Sequence, residues 1–350
     1  MPASLERSRS GNGGHVWIFF AGPVQAALAR KLASAILTRT MERRYALGLD
    51  SYDRLFPSQD TMPKGGYGNL IALPLQRGPR EKGNSLFVDD QLQPYDDQWA
   101  FLSSIKRLTP EAQTLLRNVY PAGDVINVRH VATDYDVAND PWLLPPSGRV
   151  VDKAITEPLP PNISITLGNL IYVEKKDLSD VFLDRLMRLA AFQNPEFYRA
   201  QAMRISTFGK SRVISCAEDL RHHIALPRGL LKEVLDLFDS HRIAVKVTDH
   251  RFGGVPVEFD FHGDRRPMQI EAAKALAASD EGVLCAPTAF GKTAIAANLI
   301  ALRKVNTLVL VHRRQLMDQW RERLALFLDL AIKDIGQIGV GRTRRPGDSI

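Results

Sequence analysis

The feature that most constrains the fold is an apolar segment, residues 283–286, followed by a short loop and by a helix from about residue 294. A strand, a loop and a helix in this order, with the pattern A-x-x-x-x-G-K-T, predict a phosphate-binding loop. Gly291 lets the backbone turn so that successive N–H groups point at an anion. Lys292 supplies a positive charge for the β- and γ-phosphates, and the Thr293 hydroxyl is placed to ligate Mg²⁺.

The loop departs from the usual pattern at one position, because Ala286 stands where the first glycine is expected. The alternative interpretation is a chance Gly-Lys-Thr triplet at the start of a helix, and the flanking strand and helix argue against it. We therefore predict Lys292 and Thr293 as catalytic residues and Thr293 as a metal ligand.

Composition limits the class of protein. The chain has 350 residues, 45% hydrophobic and 24% charged, enough for two or three domains with buried cores. Its net charge of +7 favours a polyanionic partner, nucleic acid first. Cys285 lies in the predicted buried strand and Cys216 is the other cysteine, so we expect no disulfide framework and a cytoplasmic location. The longest apolar run, residues 16–29, is too short to span a bilayer, so no membrane partner is predicted.

The N-terminal part carries three motif blocks. A glycine-rich turn leads into a predicted strand at residues 15–20, and apolar spacing predicts a helix over residues 24–44. A further strand is predicted at residues 70–75. The blocks S-G-N-G-G-H-V-W, D-R-L-F-P-S-Q-D and K-G-G-Y-G-N-L-I-A-L-P-L follow one another between residues 10 and 75.

These blocks resemble the archaeo-eukaryotic primase superfamily, in particular primase-like domains joined to helicases in mobile-element and conflict-system proteins. The resemblance extends over about residues 5–102. It implies that Ser10 and His15 hold the phosphates of an incoming nucleotide. It also implies that Asp53, with Asp50 and Asp60 as alternatives, helps to bind a divalent metal ion.

One element of that family is missing from its expected place. A paired acidic motif should precede the Ser-x-His block, and Glu6 is the acidic residue available there. Two-metal phosphoryl transfer needs several carboxylates to hold the ions. We therefore expect that this chain alone does not polymerise nucleotides.

The middle of the chain predicts a linker and a small domain. Prolines interrupt residues 133–162, which we interpret as a linker. Alternating apolar residues around Gly168 predict a hairpin, and apolar stripes predict helices at residues 179–192 and 228–241. Adjacent His222 and His223 lack partners at ligand spacing, so no metal is predicted there. Basic and aromatic residues between the helices could bind nucleic acid or form a solvated surface: Phe197, Tyr198, Arg204, Phe208, Lys210, Arg212, Arg221 and Arg228.

Two further motifs flank the phosphate loop. R-R-P-M-Q, residues 265–269, resembles the L-R-P-x-Q element of superfamily 2 helicases, whose glutamine binds adenine, so Gln269 is predicted to do the same. The apolar residues 306–311 predict a buried parallel strand, and with the following helix they resemble motif Ia of that family. By that resemblance His312, Arg313 and Arg314 contact DNA; a solvated strand end is the alternative.

The helicase resemblance covers about residues 263–341 and is closest to DNA repair helicases and type III restriction motors. It implies ATP and Mg²⁺ as cofactors. The residues expected to surround ATP are Gln269, Ala286, Pro287, Thr288, Ala289, Phe290, Gly291, Lys292 and Thr293. No Asp-Glu pair follows Thr293, although the family needs such a motif and a second lobe. We therefore expect a truncated chain that lacks N- and C-terminal parts of its parent and binds nucleotide without effective turnover.

The expected fold is α/β and multidomain. It comprises an incomplete primase-like α+β domain (residues 1–105), a connector and linker (106–162), a small α+β DNA-binding domain (163–260) and the first part of a RecA-like parallel α/β lobe (261–350). The expected function is part of an ATP-dependent DNA helicase or translocase with a primase-like module, with RNA left open as a partner. The alternatives are an inactive DNA- and nucleotide-binding regulator and an unrelated phosphate-loop enzyme such as a nucleotide kinase, against which residues 311–314 argue.

Overall fold

The computed structural model describes residues 2–60, 71–109, 126, 128 and 155–339. The chain divides into two compact units, residues 1–249 and 250–350. The K-G-G-Y-G-N segment and residues 133–154 of the predicted linker lie outside the described residues. None of the helices among the described residues combines the length and apolar character needed to cross a bilayer.

The N-terminal part of the first unit contains a small antiparallel sheet with the strand order β2-β1-β3. β1 and β2 form a hairpin in which Ser4 lies opposite Trp17 and Arg7 opposite Gly14. Phe87 of β3 lies opposite Glu6 on the other side of β1. The elements are β1 (Ser4–Arg7), β2 (Gly14–Trp17), α1 (Ala26–Met41), two 3₁₀ helices (Tyr45–Leu47 and Leu49–Arg54), α2 (Arg77–Glu81), β3 (Phe87–Val88) and α3 (Gln98–Ser104).

Two strand predictions in this part need correction. The predicted strand at residues 15–20 is shorter, since β2 ends at Trp17 and Phe20 forms only an isolated bridge with Leu108. Val16 is exposed because β2 is an edge strand of its sheet and is covered less than a central strand. Residues 71–75 of the second predicted strand form no strand. The helix predicted over residues 24–44 is confirmed as α1.

The remainder of the first unit is built on a mixed sheet with the order β10-β4-β5-β9-β8. β10 runs parallel to β4, and the other pairs are antiparallel. The predicted hairpin is confirmed, because β4 and β5 join through Gly168. The elements are β4 (Asn162–Leu167), β5 (Ile171–Glu174), α4 (Asp180–Leu189), β6 (Ala191–Gln193), α5 (Pro195–Ala202), β7 (Val213–Ser215), β8 (Glu218–Asp219), β9 (His223–Leu226), a 3₁₀ helix (Arg228–Leu230), α6 (Leu231–Ser240) and β10 (Ala244–Asp249).

The core forms because side chains alternate between the two faces of each strand, and the apolar face of the sheet packs against helices that each carry one apolar face. Ile165 and Val173 on the sheet and Phe182 and Phe238 on the helices are fully buried, and the two phenylalanine rings stack at 5.0 Å. Ser179 caps α4 by accepting a hydrogen bond from the backbone of residue 182. The predicted helices at residues 179–192 and 228–241 are thereby confirmed, with shorter bounds.

A buried polar network joins α4 to the region of α1. Arg188 donates to Asp184 at 2.7 Å and to the Tyr52 hydroxyl at 3.2 Å, and it also donates to the carbonyl of Ile126. Thr38 of α1 lies 2.5 Å from the same hydroxyl. Burial raises the pKa of Tyr52, so the phenol stays neutral at physiological pH. The charge of Arg188 is therefore paired with Asp184, and its remaining donors bind the neutral hydroxyl of Tyr52 and the Ile126 carbonyl.

The regular secondary structure described in the second unit consists of helices. Its helices are α7 (Pro267–Ala277), α8 (Lys292–Arg303), α9 (Arg314–Leu328) and a 3₁₀ turn (Ile332–Asp334). α8 packs against both α7 and α9. The core between α8 and α9 contains Ala297, Ile300, Leu324 and Leu328.

The two parallel strands predicted in this unit are wrong. Residues 283–286 and 306–311 are not strands, and Val283, Leu308 and Leu310 are 94%, 72% and 83% exposed. A parallel strand is held by ladder hydrogen bonds to its neighbours, and within residues 250–339 neither segment has such a neighbour. The backbone of Asn306 bonds instead to Val255 at 2.9 Å. The apolar runs are therefore largely exposed, and Cys285 is exposed rather than buried.

Candidate functional site

The phosphate loop leads directly into the N-terminus of α8. Gly291 is the N-cap residue, with φ 91° and ψ 38°, and Lys292 is the first helical residue. No acidic residue lies in the first turn. Ala289 is also in the left-handed region, with φ 63°, a conformation that costs of order 1 kcal/mol for a residue other than glycine. The backbone N–H groups of the first turn and the positive end of the helix dipole are thus available to an anion.

Gln269 joins α7 to this loop. Its side-chain oxygen accepts a hydrogen bond from the backbone N–H of Arg266 at 3.0 Å, and its Nε2 donates to the carbonyl of Phe290 at 2.8 Å. A Cβ atom at Gly291 would lie 2.5 Å from that Nε2. Gly291 is therefore required both by its positive φ and by the close approach of Gln269. The sequence associated Gln269 with adenine; here the residue is buried and holds the loop.

Lys292 and Thr293 lie at the start of α8. The Lys292 ammonium group is exposed and donates to the carbonyl of Pro287 at 3.1 Å. A charged phosphate oxygen is a stronger acceptor than this neutral carbonyl, so the lysine can exchange one for the other. Thr293 is half-buried in the first turn. The side chains of Ala286 and Phe290 are partly covered, whereas Pro287, Thr288 and Ala289 are exposed.

The predicted DNA-contact residues gather at the N-terminus of α9. Arg313 is the N-cap residue, Arg314 is the first helical residue, and both are exposed, as is His312. The first turn contains no acidic residue. Basic side chains at this end add to the positive end of the helix dipole instead of neutralising it, so the local potential favours an anion such as a nucleic acid phosphate.

Ser10 and His15 lie on the β1–β2 hairpin. The Ser10 hydroxyl lies 3.2 Å from that of Ser8, and the backbone N–H of Asn12 donates to it at 3.4 Å. His15 is the second residue of β2, after Gly14, and its side chain is 51% exposed. The turn between them is thus ordered by its own hydroxyl groups and presents both residues to solvent.

The hairpin turn also depends on a glycine and a brace from outside it. Gly11 has φ 82°, and a Cβ atom there would lie 2.8 Å from the side-chain oxygen of Asn84. Asn84 in turn donates to the carbonyl of Arg9 at 3.4 Å. The glycine spacing of the first motif block therefore has a steric reason.

The three candidate metal carboxylates are each engaged by the protein. Asp53 accepts the backbone N–H of Arg212 at 2.7 Å, and burial raises the pKa of Asp53. Asp50 pairs with Arg54 at 2.7 Å, whereas Asp60 accepts from Gln201 at 2.9 Å and also pairs with Arg30. In the part of the chain that the structure describes, no three His, Cys, Asp or Glu residues are grouped as for a metal ion.

The basic and aromatic residues of the middle region do not share one surface. Phe197 and Arg212 are buried, with the guanidinium 4.8 Å from the ring centre. Burial, together with the nearby charge of Arg30, lowers the pKa of Arg212 to about 10. Phe208, by contrast, is 95% exposed at the tip of a turn, and Lys210 pairs with Glu196 at 3.3 Å. Part of the set is therefore core and part is surface.

Two features of these sites were not predicted from the sequence. Glu6 is buried beside His15, and Asn84 braces the hairpin turn. On β1 the buried face carries Ser4 and Glu6, whereas Leu5 is only partly covered. The alternation of apolar and polar residues that usually marks the buried face of a strand is therefore absent from β1. The one feature of the sequence that indicated this contact was an acidic residue nine positions before His15.

Comparison with family models assigns two segments of the chain. Residues 1–115 match the model described as "TOTE conflict system, Archaeo-Eukaryotic Primase domain". Residues 263–349 match the model described as "Type III restriction enzyme, res subunit". Both resemblances predicted from the sequence motifs are confirmed by these matches.

Curated relatives match part of the chain. It is 36% identical over 85 residues to the DNA 3'-5' translocase XPB2 of Sulfurisphaera tokodaii, which is 24% of this chain and 19% of that protein. It is 36% identical over 91 residues to a Rad25 protein of Halobacterium salinarum, whose name proposes a DNA 3'-5' helicase; the match is 26% of this chain and 15% of that protein. The chain thus spans less than a fifth of the length of these relatives. With the family matches, these similarities identify a chain that joins a primase-like segment to a helicase-like segment.

Proposed function

We propose that residues 261–350 bind ATP and DNA as part of an ATP-dependent DNA helicase or translocase. The observation that carries this proposal is the loop at residues 286–293, which opens onto the N-terminus of α8 with the ammonium group of Lys292 exposed. The names of the two relatives, a DNA translocase and a proposed DNA helicase, agree with it.

The proposed chemistry follows from the first turn of α8. Backbone N–H groups and the helix dipole bind the terminal phosphates of ATP, and Lys292 leaves the Pro287 carbonyl for a phosphate oxygen. Thr293, in the same turn, provides the hydroxyl for Mg²⁺, which neutralises phosphate charge when bound. Gln269 holds the loop through the carbonyl of Phe290. Its second amide hydrogen and its second oxygen lone pair are proposed to form hydrogen bonds with adenine.

The proposed DNA contact is the start of α9, where His312, Arg313 and Arg314 extend from the helix N-terminus. Phosphate contacts by such groups are independent of sequence and weaken with salt. The exposed Phe208, which lies in the first compact unit, is proposed to make a separate stacking contact with an unpaired base. Each contact can be tested by a single substitution.

Arg314→Ala is expected to reduce affinity for single-stranded DNA and to lower the slope of log affinity against log salt by about 0.7, because one phosphate contact is lost. The measurement is fluorescence anisotropy of a labelled oligonucleotide over a range of salt. Arg323→Ala is the matched control, since it removes an exposed arginine further along α9. An equal fall in the slope for both variants would show that α9 acts only through net charge.

The function is tested by measuring ATP binding and ATP hydrolysis on the 350-residue protein, with and without DNA. Hydrolysis that DNA stimulates supports the motor activity. Binding without hydrolysis supports the alternative, an inactive DNA- and nucleotide-binding regulator. If the protein binds neither ATP nor DNA, both proposals are wrong.

For the N-terminal segment we propose that Ser10 and His15 bind the phosphates of a nucleotide. Their position on one ordered turn, the family match over residues 1–115 and the exposure of both side chains support this. Asp53 remains the proposed metal ligand, although its Oδ1 already accepts a hydrogen bond from Arg212. A primer-synthesis assay with added divalent metal tests this part. We expect no polymerisation, because the described residues contain no cluster of carboxylates that could hold two metal ions.

A further inference from the structure

Glu6 is a buried acidic residue in the middle of the hairpin. It is 2% exposed, and three side chains surround its carboxylate. Trp17 donates from Nε1 to Oε2 at 2.6 Å, and Ser85 donates to Oε1 at 3.0 Å. His15 places Nδ1 3.3 Å from Oε2. A buried carboxylate is costly unless it is hydrogen-bonded, and these three neighbours meet that need.

The register of the hairpin fixes the contact with His15. Glu6 and His15 lie directly opposite each other on β1 and β2. Phe87 lies opposite Glu6 on its other side, and the neighbouring Ser85 reaches the carboxylate from the segment before β3. The carboxylate is therefore held from both sides of β1, whereas the imidazole is half exposed. One ring nitrogen is directed to the protein, and the other is left for a ligand.

We propose that Glu6 is a positioning residue that fixes the tautomer of His15. An ionised carboxylate only accepts hydrogen bonds, so Nδ1 of His15 must carry the proton that lies between them. Nε2 is then the nitrogen available to a nucleotide phosphate. When Nε2 also carries a proton and donates it to a phosphate oxygen, Glu6 compensates for the positive charge of the ring.

This inference deepens the proposed role of His15 in phosphate binding and rests on it for the identity of the ligand. The tautomer itself does not depend on any ligand. The two parts can therefore fail separately: the ring can have the predicted tautomer in a protein that does not bind phosphate at the hairpin.

The first test is nitrogen NMR of the histidine rings at pH 8, where an ordinary imidazole is neutral. We expect His15 to carry its proton on Nδ1 in the wild-type protein. Trp17 and His15 contact the same oxygen of Glu6. Glu6→Leu removes that oxygen, so nothing holds the proton on Nδ1, and the proton is expected to move to Nε2. A wild-type ring that carries its proton on Nε2 overturns the proposal, and this result needs no variant.

The control variant is Ser85→Ala, which removes a different partner of the same carboxylate. We expect it to leave the His15 tautomer unchanged, because the Oε2 contact remains. If Glu6→Leu also leaves the tautomer unchanged in a folded protein, as judged by circular dichroism, Glu6 does not position the ring and the inference is wrong.

The second test is titration with inorganic tripolyphosphate, followed by the ring resonances of His15. This local signal separates the hairpin from the phosphate loop. In the wild-type protein, the ring that donates from Nε2 to phosphate is a charged imidazolium paired with Glu6. In Glu6→Leu the ring donates from Nε2 as a neutral imidazole, so the apparent affinity at His15 is expected to fall about tenfold, the size of one charge-assisted hydrogen bond. Ser85→Ala is expected to change it little. If the tautomer switches but tripolyphosphate never shifts His15, the phosphate-binding role of the hairpin is wrong while the positioning role of Glu6 is supported.

Discussion

Lys292→Ala is expected to weaken ATP binding roughly 10- to 150-fold. Removing the ammonium group costs one charge-assisted hydrogen bond to phosphate, about 1.5–3 kcal/mol, and each 1.4 kcal/mol is about a factor of ten in affinity. In the free protein Lys292 has a single neutral acceptor, the carbonyl of Pro287, so its loss should leave the fold intact. Binding of a fluorescent ATP analogue with Mg²⁺ measures the effect.

The matched control for this variant is Lys274→Ala. Lys274 is an exposed lysine on α7, the helix that packs against α8. The substitution removes the same charge from the same unit without touching the loop. If both variants bind the analogue as tightly as the wild-type protein, the loop at residues 286–293 is not the nucleotide site.

Arg188→Met is expected to destabilise the first unit by about 3–5 kcal/mol. The substitution leaves the carboxylate of Asp184 buried without its partner, and breaking a buried ion pair from one side has this cost. It also takes a donor from the Tyr52 hydroxyl and from the Ile126 carbonyl. Urea unfolding combined with amide hydrogen exchange of α4 reports the loss.

A double variant separates the charge from the packing. Asp184→Leu combined with Arg188→Met removes both charges and keeps apolar volume, so it should lose much less stability than Arg188→Met alone. If the single variant loses under about 1 kcal/mol, the network around Tyr52 is not the stabilising element that its burial implies.

Helices were predictable from the sequence in both units, but strands were predictable only in part. α1, α4 and α6 follow from apolar residues at helical spacing, α8 follows from the phosphate-loop motif, and the β4–β5 hairpin follows from alternation around Gly168. The segments at 283–286 and 306–311 have strand composition but no ladder partner among the described residues of the second unit. A strand is a property of pairing, so apolar composition alone could not decide whether Val283 or Leu310 would be buried.

The candidate sites were predictable where a motif carries the chemistry. Gly291 and Lys292 came from the phosphate-loop pattern, and Ser10 and His15 came from the primase-like resemblance. The contacts that support these residues were not predictable, because they depend on the three-dimensional approach of distant segments. Gln269 lies 21 positions before the carbonyl that it binds. Ser85 reaches a carboxylate 79 positions earlier in the chain.

The core shared by α1 and the β6–β7 pair has a practical consequence for anyone who would divide the protein. Ala35, Met41 and Tyr52 pack in one cluster with Ala191 and Val213, so half of that cluster lies far beyond the primase-like match that ends at residue 115. A shortened protein cut at that limit would leave Tyr52 and its neighbours open to water and prone to aggregate. A cut after Asp249, where the first compact unit ends, keeps both halves of the cluster in one polypeptide.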